Sequence, residues 1–332
     1  MNTALKPWKV DVPVLLIFFV RDDVFEKTFA AVKEARPSRL LLWQDGPREG
    51  RQDDIEGIKR CRKIAEDIDW DCEIFKNYQE KNWGCDPSTF YSHKWAFSLV
   101  DKCIILEDDC VGTQSFFTFC KEMLDRYEKD LRINRICGRN PEGITDYCPY
   151  DYFYTLGGSV WGWATWKRVA DTWDEEYLFA HKEYEMNMLS QVQDSDYKPM
   201  LKKLQGHIRL NVPFWETINT YARLINHQLV IVPKKNLIGY CGITTNATHS
   251  TAEMTEMSDR VRKEVALSAY EIEFPLKHPL YIVCDVSYYD RLCYHNVYVD
   301  KIQSVYRRLK TGNFKSLLAG FKRFIGLKKL DF

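Results

Sequence analysis

The stretch CIILEDDCVG, residues 103–112, decides how the chain is to be read. An apolar run ends in three adjacent carboxylates, Glu107, Asp108 and Asp109. Like charges so close together repel. Either water solvates them in an ordinary acidic turn, or a cation belongs among them. KCIIL (102–106) has the length and composition of a buried strand, so the acids stand at a strand's carboxyl end.

The same pattern recurs on the amino-terminal side. PVLLIFFV (13–20) is a continuous apolar run suited to a strand buried on both faces, and it ends in Arg21-Asp22-Asp23. A helical pattern follows to Arg36, stopped by Pro37. RLLLWQ (39–44) is a second strand, closed by Asp45-Gly46-Pro47. Apolar residues at helical spacing run from Asp53 to Ile68, CEIFKN (72–77) returns as a strand, and a helix spans about 87–100 before KCIIL. Strands alternating with helices predict an α/β protein with a mostly parallel, doubly wound sheet. Ligands bind such sheets at the carboxyl ends of the strands. Asp22-Asp23, Gln44-Asp45-Gly46, Asn77 and Glu107-Asp108-Asp109 all fall there. No GxGxxG follows the first strand and no GxxxxGK[ST] occurs, so the dinucleotide and P-loop modes are not supported. Carboxylates at a strand end are hard ligands suited to Mg²⁺ or Mn²⁺, which share their shell with water and substrate phosphates.

With 332 residues, 45% hydrophobic and 14% aromatic, the chain can fill a large core, and zero formal net charge gives no global field to recruit nucleic acid. Eleven cysteines without a CxxC pair read as reduced thiols. The apolar run Val12–Val20, interrupted by Pro13, is too short to span a membrane. A cytoplasmic protein is the expectation.

The ordered set FFVRDD (18–23), WQDGPR (43–48), KNWGC (81–85), LEDD (106–109), WGWATWKR (161–168) and NLIGYCGITTNATHS (236–250) is similar to the nucleotide-diphospho-sugar transferases of the GT-A fold. More narrowly it resembles bacterial glycosyltransferases labelled haemolytic-protein-like, distantly similar to the N-acetylglucosaminyltransferase I type. The resemblance implies a GT-A catalytic domain over 10–250, with a nucleotide-sugar half (10–110) and an acceptor half (111–250). A helical C-terminal extension (251–300) and a basic tail (301–332) follow. It implies Mn²⁺ or Mg²⁺ held by Asp109 directly, with Asp108 and Glu107 supporting it at the donor. Arg21, Asp45, Asn82 and Gly84 match positions that frame or close over the donor, although Arg21 also reads as a surface ion-pair residue and Asp45 as a turn residue.

WGWATW holds three tryptophans in six residues beside Gly157, Gly158 and Gly162. They read as core, or, with the resemblance, as an acceptor platform offered by Trp161 or Trp163. Inverting transfer needs a carboxylate that takes the acceptor's proton while a metal stabilises the leaving diphosphate. Glu216 stands where the family commonly carries that acid, usually Asp, and a first-turn Glu is also favoured by the helix dipole. His249 in NATHS matches a family position suited to the metal or diphosphate. Asn246-Ala247-Thr248 reads as a glycosylation sequon, discounted without signs of secretion.

Residues 301–332 carry nine Lys or Arg against Asp331 alone, a net of +8 that leaves −8 on the rest of the chain. Phe314, Leu317, Leu318, Phe321, Phe324 and Ile325 fall at helical spacing among these cations. That is the pattern of an amphipathic helix on an anionic membrane, though a helix docked on the acidic body or on another subunit has the same pattern.

The combined expectation is a cytoplasmic enzyme, peripheral on the inner face of the cell membrane. It would transfer a sugar from a nucleotide diphosphate, UDP first and GDP second, to a glycan or lipid-linked acceptor in polysaccharide biosynthesis. A nucleotidyltransferase would share sheet and metal but place a Gly-rich basic loop after the first strand, which FFVRDDV lacks. A non-enzymatic membrane-binding protein fits the tail but leaves the three acids unexplained.

Overall fold

A computed structural model of the chain describes residues 5–192, 197–242, 262–263, 265–293, 305–306 and 309. Its centre is an eight-stranded sheet. The strands are β1 (Val10–Phe18), β2 (Pro37–Gln44), β3 (Glu73–Tyr78), β4 (Lys102–Glu107), β6 (Ile133–Cys137), β7 (Tyr152–Thr155), β8 (Trp163–Trp166) and β9 (Leu229–Pro233), in the order β3-β2-β1-β4-β8-β6-β9-β7. A separate ribbon pairs β5 (Cys110–Gly112) with β10 (Ile238–Tyr240). The helices are α1 (Asp22–Ala35), α2 (Gln52–Ala65), α3 (Cys85–Leu99), α4 (Gln114–Arg126), the short α5 (Lys167–Ala170), α6 (Glu183–Val192), α7 (Tyr197–Leu210), α8 (Trp215–Ile225) and α9 (Val286–Cys293).

β3, β2, β1 and β4 are parallel, and β8 and β7 run against their neighbours, so the sheet is mixed but mostly parallel. From β1 the chain winds outward through β2 to β3, then α3 carries it back to β4 on the other side of β1. The direction of winding therefore reverses between β1 and β4, and such a switch point opens a crevice at the strands' carboxyl ends.

Alternate residues of each strand face opposite sides, and both sides are buried. On one, Val14, Leu16, Phe18, Leu40 and Leu42 meet Phe25, Phe29 and Val32 of α1 and Phe116, Phe117 and Phe119 of α4. On the other, Leu15, Leu41, Cys103 and Ile105 meet Phe90 and Phe97 of α3 and Trp215 and Ile218 of α8. This two-sided burial is why the strands read as unbroken apolar runs.

β1 begins three residues before the expected strand and includes Pro13. A proline cannot donate to a ladder. The register with β2 slips between Val10 and Pro13, and pairing with β4 starts only at Val14, which accommodates the missing donor.

The chain divides into two compact units, Met1–Gly242 with Leu267–Arg291, and Ile243–Ala266 with Leu292–Phe332. The expected helical extension is corrected in part, because of residues 267–293 only α9 is helical. Pro275 and Pro279 oppose a helix there, and the segment is tied instead to the start of α4 and to the residue before β7. Glu271 accepts from the backbone N–H groups of Gln114 and Ser115 at the start of α4, and the Lys277 N–H donates to Asp151. Most of the basic tail lies outside the described residues. Among the described residues, no helix is long and apolar enough to cross a membrane and no cysteine forms a disulfide.

Candidate active site

β4 delivers Glu107 opposite Ile17 of β1, and the chain then turns through Asp108 and Asp109 into β5. Asp108 and Asp109 are only 5% and 8% exposed, which rules out the solvated acidic turn. They are held from several directions. The Thr28 hydroxyl of α1 donates to the Asp108 carbonyl at 2.8 Å, and the Cys241 N–H donates to the Asp109 carbonyl at 3.0 Å. The second contact follows from the ribbon, in which Tyr240 pairs with Cys110. The NLIGYCG segment, 130 residues on in sequence, is thereby fastened alongside the acids.

Arg21, at the residue that precedes α1, reaches into the same space. Its Nη2 donates to Asp108 Oδ1 and, at 2.9 Å, to Asp109 Oδ2, and its Nη1 approaches the Gly242 carbonyl at 3.5 Å. Burial works against the guanidinium charge, but the two carboxylates outweigh it and hold its pKa above the ordinary value. Burial followed by repulsion from Asp109, Asp108 and Glu216 pushes the Glu107 carboxyl up to about 8. Asp108 is pushed up to about 6, mainly by burial, with the Arg21 charge opposing. Four acids thus act within one field, and among the described residues Arg21 is ion-paired to two of them.

The structure therefore brings Arg21 into contact with Asp108 and Asp109, with Glu107 in the same electrostatic field. It also places Glu216, exposed in the first turn of α8, near enough for its charge to act on Glu107. The oxygen donors and the surplus of negative charge fit Mg²⁺ or Mn²⁺, which need only one or two protein carboxylates. Among the described residues no group of three or more His, Cys, Asp or Glu is placed so that it could hold a metal ion. His249 lies outside the described residues.

The next strand end along, at β2, has a different task. The Asp45 carboxylate accepts from the N–H groups of Gly46, Trp83 and Gly84 and from the Asn82 side chain at 2.9–3.1 Å. Burial raises its pKa and the backbone N–H groups oppose the rise. Its acceptor capacity is committed to the loop, so Asp45 positions Asn82 and Gly84 at the start of α3. Two glycines permit this. A Cβ at Gly46 would come within 2.5 Å of the Lys81 backbone, and Gly84 has φ +84°.

The other expected polar ends do not converge. Asp22 pairs with Arg60 on the surface, and Asn77 sits on the outermost strand, bonded by Gln79.

The two tryptophans separate. Trp163, expected with Trp161 as a sugar platform, is 1% exposed and stacks on Trp215 with His93 alongside, so it has no face to offer an acceptor. Trp163 lies in β8, which is buried on both faces, while Trp161, in the loop before β8, is only partly buried. Trp161 stacks on Tyr240 with centroids 4.4 Å apart, and the Arg139 guanidinium lies 4.0 Å above its ring. Tyr240 borders the acids, since a Cβ at Gly242 would collide with both its hydroxyl and the Asp109 carboxylate. Burial, followed by the Asp109 charge, pushes the Tyr240 hydroxyl up.

Arg139, Tyr240, Gly242 and Thr28 are site residues that the sequence reading passed over. The only signal for Tyr240 and Gly242 was their place in the NLIGYCG motif. Arg139 and Thr28 carry no local signature.

No protein-family model matches the chain and no curated protein matches it.

Proposed function

We propose that the chain is a metal-dependent glycosyltransferase of the GT-A type. It moves a sugar from a nucleotide diphosphate, UDP first and GDP second, to a glycan or lipid-linked glycan. The observation that carries this reading is the Glu107-Asp108-Asp109 turn at the switch point between β1 and β4, with both aspartates buried and paired to Arg21 and with Glu216 in electrostatic reach of Glu107. A crevice there suits a nucleotide, and the surplus of acids suits a cation that arrives with the donor.

Asp109 would ligate the metal, with Asp108 and Glu107 beside it. When bound, the metal supplies charge to stabilise the departing diphosphate. The chain's own groups do the rest. Asp45 fixes the 82–84 loop at the donor's side. Glu216 takes the proton of the acceptor hydroxyl as that oxygen bonds to the anomeric carbon and the bond from that carbon to the diphosphate oxygen breaks. Attack opposite the leaving group inverts the anomeric centre. Trp161 has Tyr240 stacked on its ring and the Arg139 guanidinium over it, so it would meet the acceptor at its exposed edge rather than through a free face. The nucleotidyltransferase alternative gains nothing, because Phe19-Val20-Arg21 after β1 has no glycine.

The test is thermal unfolding with a panel of UDP-, GDP-, CMP- and dTDP-sugars, each with and without Mn²⁺. A UDP- or GDP-sugar should raise the melting temperature only when Mn²⁺ is present. No metal-dependent shift with any nucleotide would reject the reading.

A further inference from the structure

Arg21 occupies the position where a cation belongs. Its side chain is 14% exposed, and one nitrogen bridges a carboxylate oxygen of Asp108 and another of Asp109. Among the described residues neither acid has another ion-pair partner. The guanidinium is anchored by its backbone, since Arg21 directly precedes α1, whose first turn begins with the Phe25 N–H on the Arg21 carbonyl at 2.9 Å. The third contact, to the Gly242 carbonyl, is long at 3.5 Å and gives the side chain little further hold.

From this geometry we infer that Arg21 stands in for the divalent cation in the donor-free protein and makes cation binding conditional on the diphosphate. The inference rests on the transferase reading for the diphosphate, and on the bridge itself for the competition.

A guanidinium bridging two carboxylates and a divalent cation ligated by one of them compete for the same oxygens, and at such range the two positive charges repel strongly. A bare cation must therefore displace Arg21 without offering its charge a new partner. A cation that arrives with a diphosphate brings that partner, because arginine binds phosphate oxygens in a forked, bidentate manner. Arg21 would then pass from Asp108 and Asp109 to the diphosphate and help to neutralise it as it departs. Cation and nucleotide would bind with strong mutual enhancement, and the site would stay closed to free cations.

The experiment is Mn²⁺ titration of the full chain, followed by the electron paramagnetic resonance of free Mn²⁺, with and without UDP and GDP. It is run for wild type, Arg21→Gln and Arg21→Lys. Wild type should bind Mn²⁺ weakly alone and at least tenfold more tightly with a nucleoside diphosphate. Arg21→Gln should bind Mn²⁺ alone at least tenfold more tightly than wild type, with most of the enhancement by nucleotide gone. If Arg21→Gln does not fold without metal, Arg21→Lys decides. Its point charge spans two carboxylates poorly, so Mn²⁺ alone should bind it several-fold more tightly than wild type. Mn²⁺ affinity unchanged or weakened in the folded variants would overturn the inference, even if UDP and Mn²⁺ still bind together. Tightened Mn²⁺ binding in the variants, with no effect of UDP or GDP in any protein, would instead uphold the competition and sink the transferase reading.

Discussion

Asp45→Asn tests how the donor-side loop is built. The carboxylate takes four donors, the N–H groups of Gly46, Trp83 and Gly84 and the Asn82 amide. Asparagine keeps one acceptor oxygen and replaces the other with a donor. If the oxygen facing Gly46 and Trp83 is kept, the Gly84 N–H loses its partner and faces an NH₂ group, while the Asn82 side chain keeps only its bond to the Gly46 carbonyl. A buried donor left unsatisfied costs about 1–3 kcal/mol, with the low end appropriate to this half-exposed loop. Against that loss, the variant no longer buries a charge, the effect that raises the Asp45 pKa. One orphaned and one weakened donor at the low end of that range, offset in part by this gain, leave a net loss of about 1 kcal/mol. Urea unfolding followed by tryptophan fluorescence measures it, and donor KM should rise about tenfold with a smaller change in kcat, since the reacting groups are untouched. A stability loss below about 0.5 kcal/mol, or an unchanged donor KM, would refute this account of the loop.

Glu216→Gln should keep metal-dependent nucleotide binding and lower kcat by about 10²–10⁴-fold, the usual worth of a general base; a loss of donor binding instead would remove Glu216 from that role. Glu107 titrates at about 8 in the folded chain against an ordinary 4.5, so its protonated form adds stability that is complete below pH 4.5 and lost as pH rises through 8. Without metal, Glu107→Gln should therefore gain on wild type by roughly 2 kcal/mol between pH 5 and pH 9, after allowance for solvent screening, and parallel unfolding curves across that range would contradict the crowding. Trp163→Ala should cost about 3–5 kcal/mol of stability, as expected for a core aromatic. Trp161→Ala should cost far less and raise acceptor KM. The reverse pattern would exchange their roles.

The carboxyl-terminal ends of the strands were legible because β1, β2 and β4 are buried on both faces and so spell unbroken apolar runs, and Asp109 stands out as the last of three acids after such a run. Long-range pairings were not. Nothing local in NLIGYCG announces that Tyr240 pairs with Cys110, so the wall that Tyr240 and Gly242 give the site appears only once β10 is docked on β5. The fate of Trp163 depended on β8 being a strand inside the sheet, buried on both faces, which four residues are too few to spell out as an apolar run. Asp45 was correctly placed at a rim but its work is internal, because the partners that claim its oxygens arrive nearly forty residues later.

The central claim is that Asp109 holds a divalent cation together with a nucleoside diphosphate. Isothermal titration of UDP into the full chain tests it, with Mn²⁺, without Mn²⁺, and with Mn²⁺ in Asp109→Ala. The account predicts binding in the first case and its loss, by at least tenfold in affinity, in the other two. UDP affinity that is indifferent to Mn²⁺ and to Asp109 would contradict it.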